Sequence, residues 1–114
     1  MPAKDPRLYL IHIRDCCERI LDYTGGIEST WSNVPVVHDA VCRNLEIIGE
    51  AARRFDDPFR AAHPEIPWRA MTDVRNILIH AYDRVAAEIL TEIVRRDIPP
   101  LLVSVNQLLS QDKA

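Results

Sequence analysis

The sequence predicts an all-α protein, an antiparallel bundle of four to five helices. Several segments carry apolar residues at intervals of three and four, and none alternates apolar and polar residues between turn signals. The apolar content is 47% with only 3 glycines, which is typical of a globular, helix-rich chain. A chain of 114 residues can bury one hydrophobic core, so we expect a single domain over residues 1–114.

The first helix is predicted over about residues 6–24. Asp5 offers a side-chain oxygen at the N-cap, and the ring of Pro6 fixes a helical φ in the first turn. Apolar side chains then recur on one face until two adjacent glycines, Gly25 and Gly26, end the helix.

The second long helix is predicted to open at Asn33 and Pro35 and to continue to about Phe55. Its apolar stripe is unusually wide, which indicates contact with more than one neighbouring helix. The next residues, Asp56-Asp57-Pro58, predict a stop followed by a short helix that ends near Ala62.

A third long helix is predicted from Trp68 to Tyr82, and a fourth from about Ala86. Residues 97–100 read Asp-Ile-Pro-Pro, and two prolines fit the first turn of a helix but not its interior. We therefore expect an interruption there and a last helix that starts at Ile98.

Charge and cysteine content exclude several classes of protein. A net charge of −3 argues against broad binding to duplex nucleic acid. No CxxC spacing occurs, so we expect reduced thiols, a cytoplasmic location and no metal site. No apolar run approaches the length of a membrane span, and the N-terminus does not resemble a signal peptide. The three cysteines are Cys16, Cys17 and Cys42.

The segment RNILIHAY, residues 75–82, concentrates the reactive side chains of the chain on two turns of the third helix. At about 100° per residue, one arc of that helix is polar and the opposite arc is apolar and predicted to pack on the core. Ile79 lies within the polar arc, which favours a partner surface or a cleft over open water. The polar arc comprises Arg75, Asn76, His80, Tyr82 and Asp83, and the apolar arc comprises Val74, Ile77, Leu78 and Ala81.

The RxxxxHxY pattern resembles that of the HepT-like toxins of the HEPN superfamily. The resemblance covers about residues 5–105, because three further blocks also look like this family and occur in the same order as the motif block. The four blocks are LEIIGEAARRF at 45–55, HPEIPW at 63–68, MTDVRNILIHAYDRV at 71–85 and RDIPPLL at 96–102.

The resemblance implies a HEPN-like fold and a homodimer in which two motifs line one cleft. It implies a metal-independent ribonuclease without a cofactor, paired with a minimal nucleotidyltransferase antitoxin that transfers AMP from ATP onto the motif tyrosine. Arg75 and His80 would then be catalytic, Asn76 would support them, and Tyr82 would become O-AMP-tyrosine. Relatives commonly have Val-Asp after the motif, where this chain has Val85 followed by alanine.

The helix geometry adds its own constraint on this chemistry. RNA carries its own nucleophile, the 2′-hydroxyl, so that cleavage without metal needs proton transfer and a cation on the phosphate. His80 suits the first role and Arg75 the second. The two residues lie about 140° apart around the helix axis, which is awkward for one phosphate on one chain. A symmetric pair of helices would bring Arg75 of one chain towards His80 of the other.

Two pairs of residues leave their roles open in the sequence. Glu46 and Glu50 could position His80, contact the antitoxin, or form a solvated face neutralised by arginines. Trp31 and Trp68 could stack on bases or anchor the core. The remaining histidines share no metal-ligand spacing; they are His12, His38 and His63.

The sequence therefore favours the toxin of a type VII-like toxin–antitoxin system, an endoribonuclease acting on tRNA or mRNA and inactivated by AMP on Tyr82. The alternative is a non-catalytic helical binding module that only docks to, and is modified by, a nucleotidyltransferase partner. A helical bundle that binds a small molecule is a third hypothesis.

Overall fold

The regular secondary structure of this protein is helical throughout the residues that the computed structural model describes, 5–25, 31–81 and 86–111, and the all-α prediction is confirmed. A 3₁₀ turn, Trp31–Asn33, precedes the second helix, and a π-helical turn, Ile93–Asp97, joins the last two. The α-helices are α1 (Pro6–Tyr23), α2 (Pro35–Ala52), α3 (Asp57–Ala62), α4 (Trp68–Ala81), α5 (Ala87–Glu92) and α6 (Ile98–Gln111).

Side chains cap the starts of α1 and α3, whereas α2 and α5 begin without a side-chain cap. The Asp5 carboxylate accepts the Arg7 backbone N–H at 2.9 Å and caps α1, as predicted. The Asp56 carboxylate caps α3 by accepting the Phe59 backbone N–H at 2.9 Å. The expected cap of α2 is wrong, because Asn33 lies in the 3₁₀ turn and Val34 occupies the N-cap position without a side-chain hydrogen bond.

The predicted interruption of the helix at Pro99 and Pro100 is wrong. The chain stays helical from α5 through the π turn into α6, and the Ile98 N–H donates to the carbonyl of Ile93, five residues earlier. A proline ring clashes with the carbonyl four residues before it and supplies no N–H. The wider π turn shifts those carbonyls out of register, so Pro99 and Pro100 fit into the first turn of α6 without a loop.

The core is organised around α2, which packs against both α1 and α4, while α6 packs against α1. Contact with two neighbours is what the wide apolar stripe of α2 predicts. Each fully buried aliphatic side chain contributes about 1.5–3 kcal/mol to folding. The most completely buried large side chains are Ile13, Ile20, Val41, Ile66, Leu78, Leu90, Val94 and Val105.

An aromatic cluster joins α1, α4 and the segment that follows α2. Phe55 lies 4.8 Å from the ring centre of Trp68 and 5.9 Å from that of Tyr9. The indole N–H of Trp68 donates to the His63 carbonyl at 3.0 Å. Trp31 is also buried, with 6% of its surface exposed. Both tryptophans therefore anchor the core and are not free to stack on bases.

The helices α2 and α4 approach each other closely at Gly49. A Cβ atom placed on Gly49 would meet the Cβ of Arg75 and would lie 2.7 Å from the carbonyl oxygen of Met71. Real Cβ atoms do not approach backbone this closely, so only glycine fits here. The missing side chain lets the first turns of the RNILIHAY motif lie directly against α2.

The three cysteine thiols are free and buried. Desolvation by burial raises the pKa of Cys17 to about 12, with a further contribution from neighbouring Cys16. Burial likewise raises the pKa of Cys42 to about 11. These thiols are therefore neutral packing groups in the folded protein.

None of the described helices is long and apolar enough to cross a membrane.

Replacing Gly49 by alanine is expected to lower the free energy of unfolding by about 1–3 kcal/mol, because the neighbouring backbone must move. At an unhindered helix position the same change would raise it by about 1 kcal/mol. Urea unfolding measures the difference. Gly25→Ala is the control, since Gly25 has φ +62° and no atom within 4 Å of the added Cβ, so that only backbone strain acts there. A stabilised Gly49→Ala variant would contradict the close crossing.

The stability of the protein is expected to fall above pH 9. A thiol in the unfolded chain ionises near its ordinary pKa of 9.0, whereas the folded Cys17 holds its proton to about 12. Both states are protonated below pH 9, and between these values only the unfolded state loses the proton, which favours unfolding. Urea unfolding between pH 8 and 11 should show a shallower decline for Cys17→Ala than for the wild type. Parallel curves would exclude a contribution from this thiol.

Candidate functional site

The Arg75 guanidinium group has one contact with α2 and one with its own helix, α4. One terminal nitrogen lies 3.2 Å from a Glu50 carboxylate oxygen, and the other donates to the Asn76 side-chain oxygen at 2.8 Å. The side chain is 22% exposed. Its Nε is buried and has no hydrogen-bond partner in the part of the chain that the structure describes. These contacts fix the position of Arg75 and leave further guanidinium N–H groups, Nε–H among them, without a described partner.

Glu50 is the centre of an ion-pair network that includes the motif arginine. Besides Arg75, its carboxylate contacts Arg53 at 3.6 Å and Arg54 at 3.8 Å. Glu46 pairs with Arg43 at 3.6 Å. The predicted neutralisation of the two glutamates by arginines is therefore confirmed. The sequence did not predict that Glu50 would hold Arg75, and the hypothesis that it positions His80 receives no support from these contacts.

His80 and Asn76 face away from the bundle. Both side chains are exposed, and His80 makes no hydrogen bond or ion pair with another described residue. Ile77 and Ile79 are 55% and 44% exposed on either side of them. Ile77 was expected to pack on the core with Leu78, which is wrong, since only Leu78 of that pair is buried. We refer to Asn76, Ile77, Ile79 and His80 as the exposed strip of α4.

The polar arc predicted from the sequence is therefore divided in the structure. Arg75 turns towards α2 and is mostly covered, while His80 turns outwards, in keeping with their offset of about 140°. No contact joins the two side chains within the described chain. Within one chain, the motif arginine and histidine therefore face different sides of α4.

A groove of about 500 Å³ runs beside Arg75. Its floor is the outer face of α2, one wall is α1 and the other wall is α4. Arg75 and Ile79 contribute to it from the motif, but His80 does not. The α1 wall includes His12, a residue that sequence reasoning did not associate with the motif.

Ala86, which stands where relatives commonly have aspartate, occupies the N-cap position of α5. Ala86 has an extended backbone, φ −64° and ψ 141°, directly before α5, and makes no side-chain hydrogen bond there. An aspartate at this place would cap the helix, so α5 lacks a stabilising contribution of about 1 kcal/mol.

Tyr82, Asp83 and Val85 lie outside the described residues. No group of three or more described His, Cys, Asp or Glu side chains is placed to hold a metal ion.

Comparison with known proteins gives the same assignment as the motif. Residues 13–108 match the family described as "Ribonuclease HepT-like". The "Putative RNase" of Caldanaerobacter subterraneus subsp. tengcongensis is 37% identical over 111 residues, which cover 96% of this chain and 99% of that protein. A "Putative RNase" of Methanocaldococcus jannaschii is 35% identical over 102 residues, covering 89% and 94% of the two chains.

A shorter match has higher identity. The "Probable ribonuclease HepT" of Thermococcus cleftensis is 52% identical over 62 residues, which cover 54% of this chain and 56% of that protein. No solved structure matches the chain. The family match spans most of the sequence, including the whole of α2, α4 and the RNILIHAY motif, and this chain belongs to the HepT-like ribonuclease family.

Proposed function

We propose that this protein is an endoribonuclease that cleaves tRNA or mRNA without a metal ion and acts as the toxin of a type VII-like toxin–antitoxin pair. Membership of the HepT-like family and the names of its relatives support the ribonuclease activity. The location of such a pair of proteins would be the cytoplasm, where their RNA substrates are.

The observation that carries this proposal is the opposite placement of the two motif side chains. Arg75 is fixed on α2 by Glu50, whereas His80 is exposed on the outer side of the same helix. Two exposed isoleucines, Ile77 and Ile79, flank this outer face. A second copy of the chain packed along the exposed strip would cover them and bring its own Arg75 towards His80, which gives a homodimer with a composite cleft.

The chemistry at such a cleft needs no group from outside the protein. The 2′-hydroxyl of the RNA loses its proton to a base and attacks the adjacent phosphorus atom. The bond to the 5′-oxygen breaks, that oxygen gains a proton, and a 2′,3′-cyclic phosphate remains. His80 would act in one of these proton transfers, and Arg75 would bind the phosphate as its negative charge grows, with Asn76 holding the guanidinium.

Tyr82 would be the point of control. Its hydroxyl oxygen would attack the α-phosphorus of ATP on the nucleotidyltransferase antitoxin, losing its proton and releasing pyrophosphate. The resulting phosphodiester adds a negative charge and an adenosine next to the motif. Both would oppose the entry of an RNA phosphate at Arg75 and His80. This part of the proposal comes from the resemblance of the RxxxxHxY motif to that of the HepT-like toxins.

Mixing two inactive variants tests the composite cleft. His80→Ala and Arg75→Ala are each expected to lose RNA cleavage, measured on purified tRNA and mRNA with a chelator present. In a mixed dimer, one of the two sites would combine the intact Arg75 of one chain with the intact His80 of the other. After unfolding and refolding together, the mixture should regain up to about one quarter of wild-type activity.

The outcome of mixing separates the possibilities. Each variant refolded alone is the control for recovery caused by refolding itself. A mixture as inactive as its components would mean that both groups act within one chain. Undiminished cleavage by His80→Ala would remove His80 from the mechanism, and a wild type that binds its antitoxin but cleaves no RNA would favour the non-catalytic module.

Replacing Tyr82 by phenylalanine is expected to abolish modification by the antitoxin and to leave cleavage intact, since only the hydroxyl is lost. Incubation with the nucleotidyltransferase and ATP labelled in the α-phosphate measures both, through label uptake and residual cleavage. Tyr23→Phe is the control, because Tyr23 is another tyrosine with 44% of its surface exposed. Equal labelling of Tyr82→Phe and wild type would place the modification elsewhere.

A further inference from the structure

The groove between α1, α2 and α4 contains two arginines in addition to Arg75 of the motif. Arg43 and Arg54 line it together with Arg75, against the two carboxylates of Glu46 and Glu50. The groove therefore carries an excess of one positive charge, in a chain whose net charge is −3. This local excess of positive charge would attract a polyanion despite the negative charge of the whole chain.

Arg43 and Arg54 are well placed to exchange their present partners for phosphates. Their ion pairs with Glu46 and Glu50 are long, at 3.6 and 3.8 Å, and the side chains are 71% and 56% exposed. Exposed pairs of this kind contribute little to stability, so that their loss costs little. Arg43 lies within α2 and Arg54 lies just beyond its C-terminal end, while Arg75 is on the α4 wall of the groove.

The α1 wall offers a surface for a base. Tyr9 and His12 line the groove, and their rings meet edge to face with centres 6.1 Å apart. Tyr9 is partly buried and its ring also packs on Phe55, whereas His12 is exposed. A fixed ring beside an exposed ring is the arrangement on which an unpaired base can stack.

We propose that this groove binds the single-stranded RNA next to the cleaved phosphodiester, with Arg43 and Arg54 on flanking phosphates and His12 against a base. The inference rests on the proposed ribonuclease function and extends it, because Arg75 joins the groove to the reacting phosphate. The planar, forked guanidinium groups suit phosphate oxygens. A segment of a protein partner is the competing occupant of the same groove.

RNA binding is measured on the full chain carrying His80→Ala, which prevents cleavage. In this background, two double variants are compared. The groove variant carries Arg43→Gln and Arg54→Gln, and the control variant carries Arg95→Gln and Arg96→Gln. The control pair matches the groove pair in exposure, 69% and 56% against 71% and 56%, and each of its arginines also contacts an acidic residue close in sequence. The ligand is a fluorescent single-stranded RNA of about twelve nucleotides.

The groove variant should bind this RNA at least about tenfold more weakly than its parent. The slope of log K against log salt should become less steep by about 1.4, since two phosphate contacts are lost. The control variant should keep the affinity and slope of the parent. Thermal unfolding of all three proteins checks that the changes do not act through folding.

Equal RNA affinity and slope in the groove and control variants would overturn the inference. It would also be overturned if the groove variant kept its RNA affinity but lost modification by the nucleotidyltransferase, which would assign the groove to the protein partner. Failure of the proposed function gives a different result. The groove variant would then bind RNA more weakly than its parent, but the wild-type protein would cleave no RNA.

Discussion

The close crossing of α2 and α4 at Gly49 is the contact on which the candidate site depends. Because Gly49 has no side chain, the backbone of α4 lies directly on α2, with the carbonyl of Met71 and the Cβ of Arg75 above it. This contact brings Glu50, the next residue of α2, within ion-pair distance of Arg75. It also sets the rotation of α4, so that one helix contributes a covered arginine and an outward histidine.

The Glu50–Arg75 pair acts on geometry more than on stability. Both side chains retain contact with water, at 41% and 22% exposure, and an ion pair of this kind contributes little net free energy. What the pair does is select one position for a long, flexible side chain before a phosphate arrives. Because Glu50 also contacts Arg53 and Arg54, its own charge is largely compensated and would repel a phosphate less.

The helices and the motif could be predicted from the sequence because both depend on local rules. The Asp5 cap and the helical spacing of the motif needed no tertiary information. The exposure of Ile77 could not be predicted, since periodicity shows which faces are apolar but not which of them one chain covers. The role of Gly49 was equally hidden, because a helical glycine signals a close approach only when the facing helix is known. The continuous helix before Pro99 was hidden too, because the proline rules describe a regular α-helix and not the π turn that precedes it here.

The exposed strip also limits how tightly two chains can associate. Ile77 and Ile79 each have about half of their surface left to bury, or roughly 1 kcal/mol per side chain and about 4 kcal/mol in a symmetric pair. Association costs about 4–15 kcal/mol in lost freedom, so these side chains alone offset only the lower end of that range. In the proposed dimer, the remaining free energy must come from other contacts, and an RNA strand is one source. A strand that lies in the groove of one chain and reaches His80 of the other would stabilise the dimer in which it is cleaved.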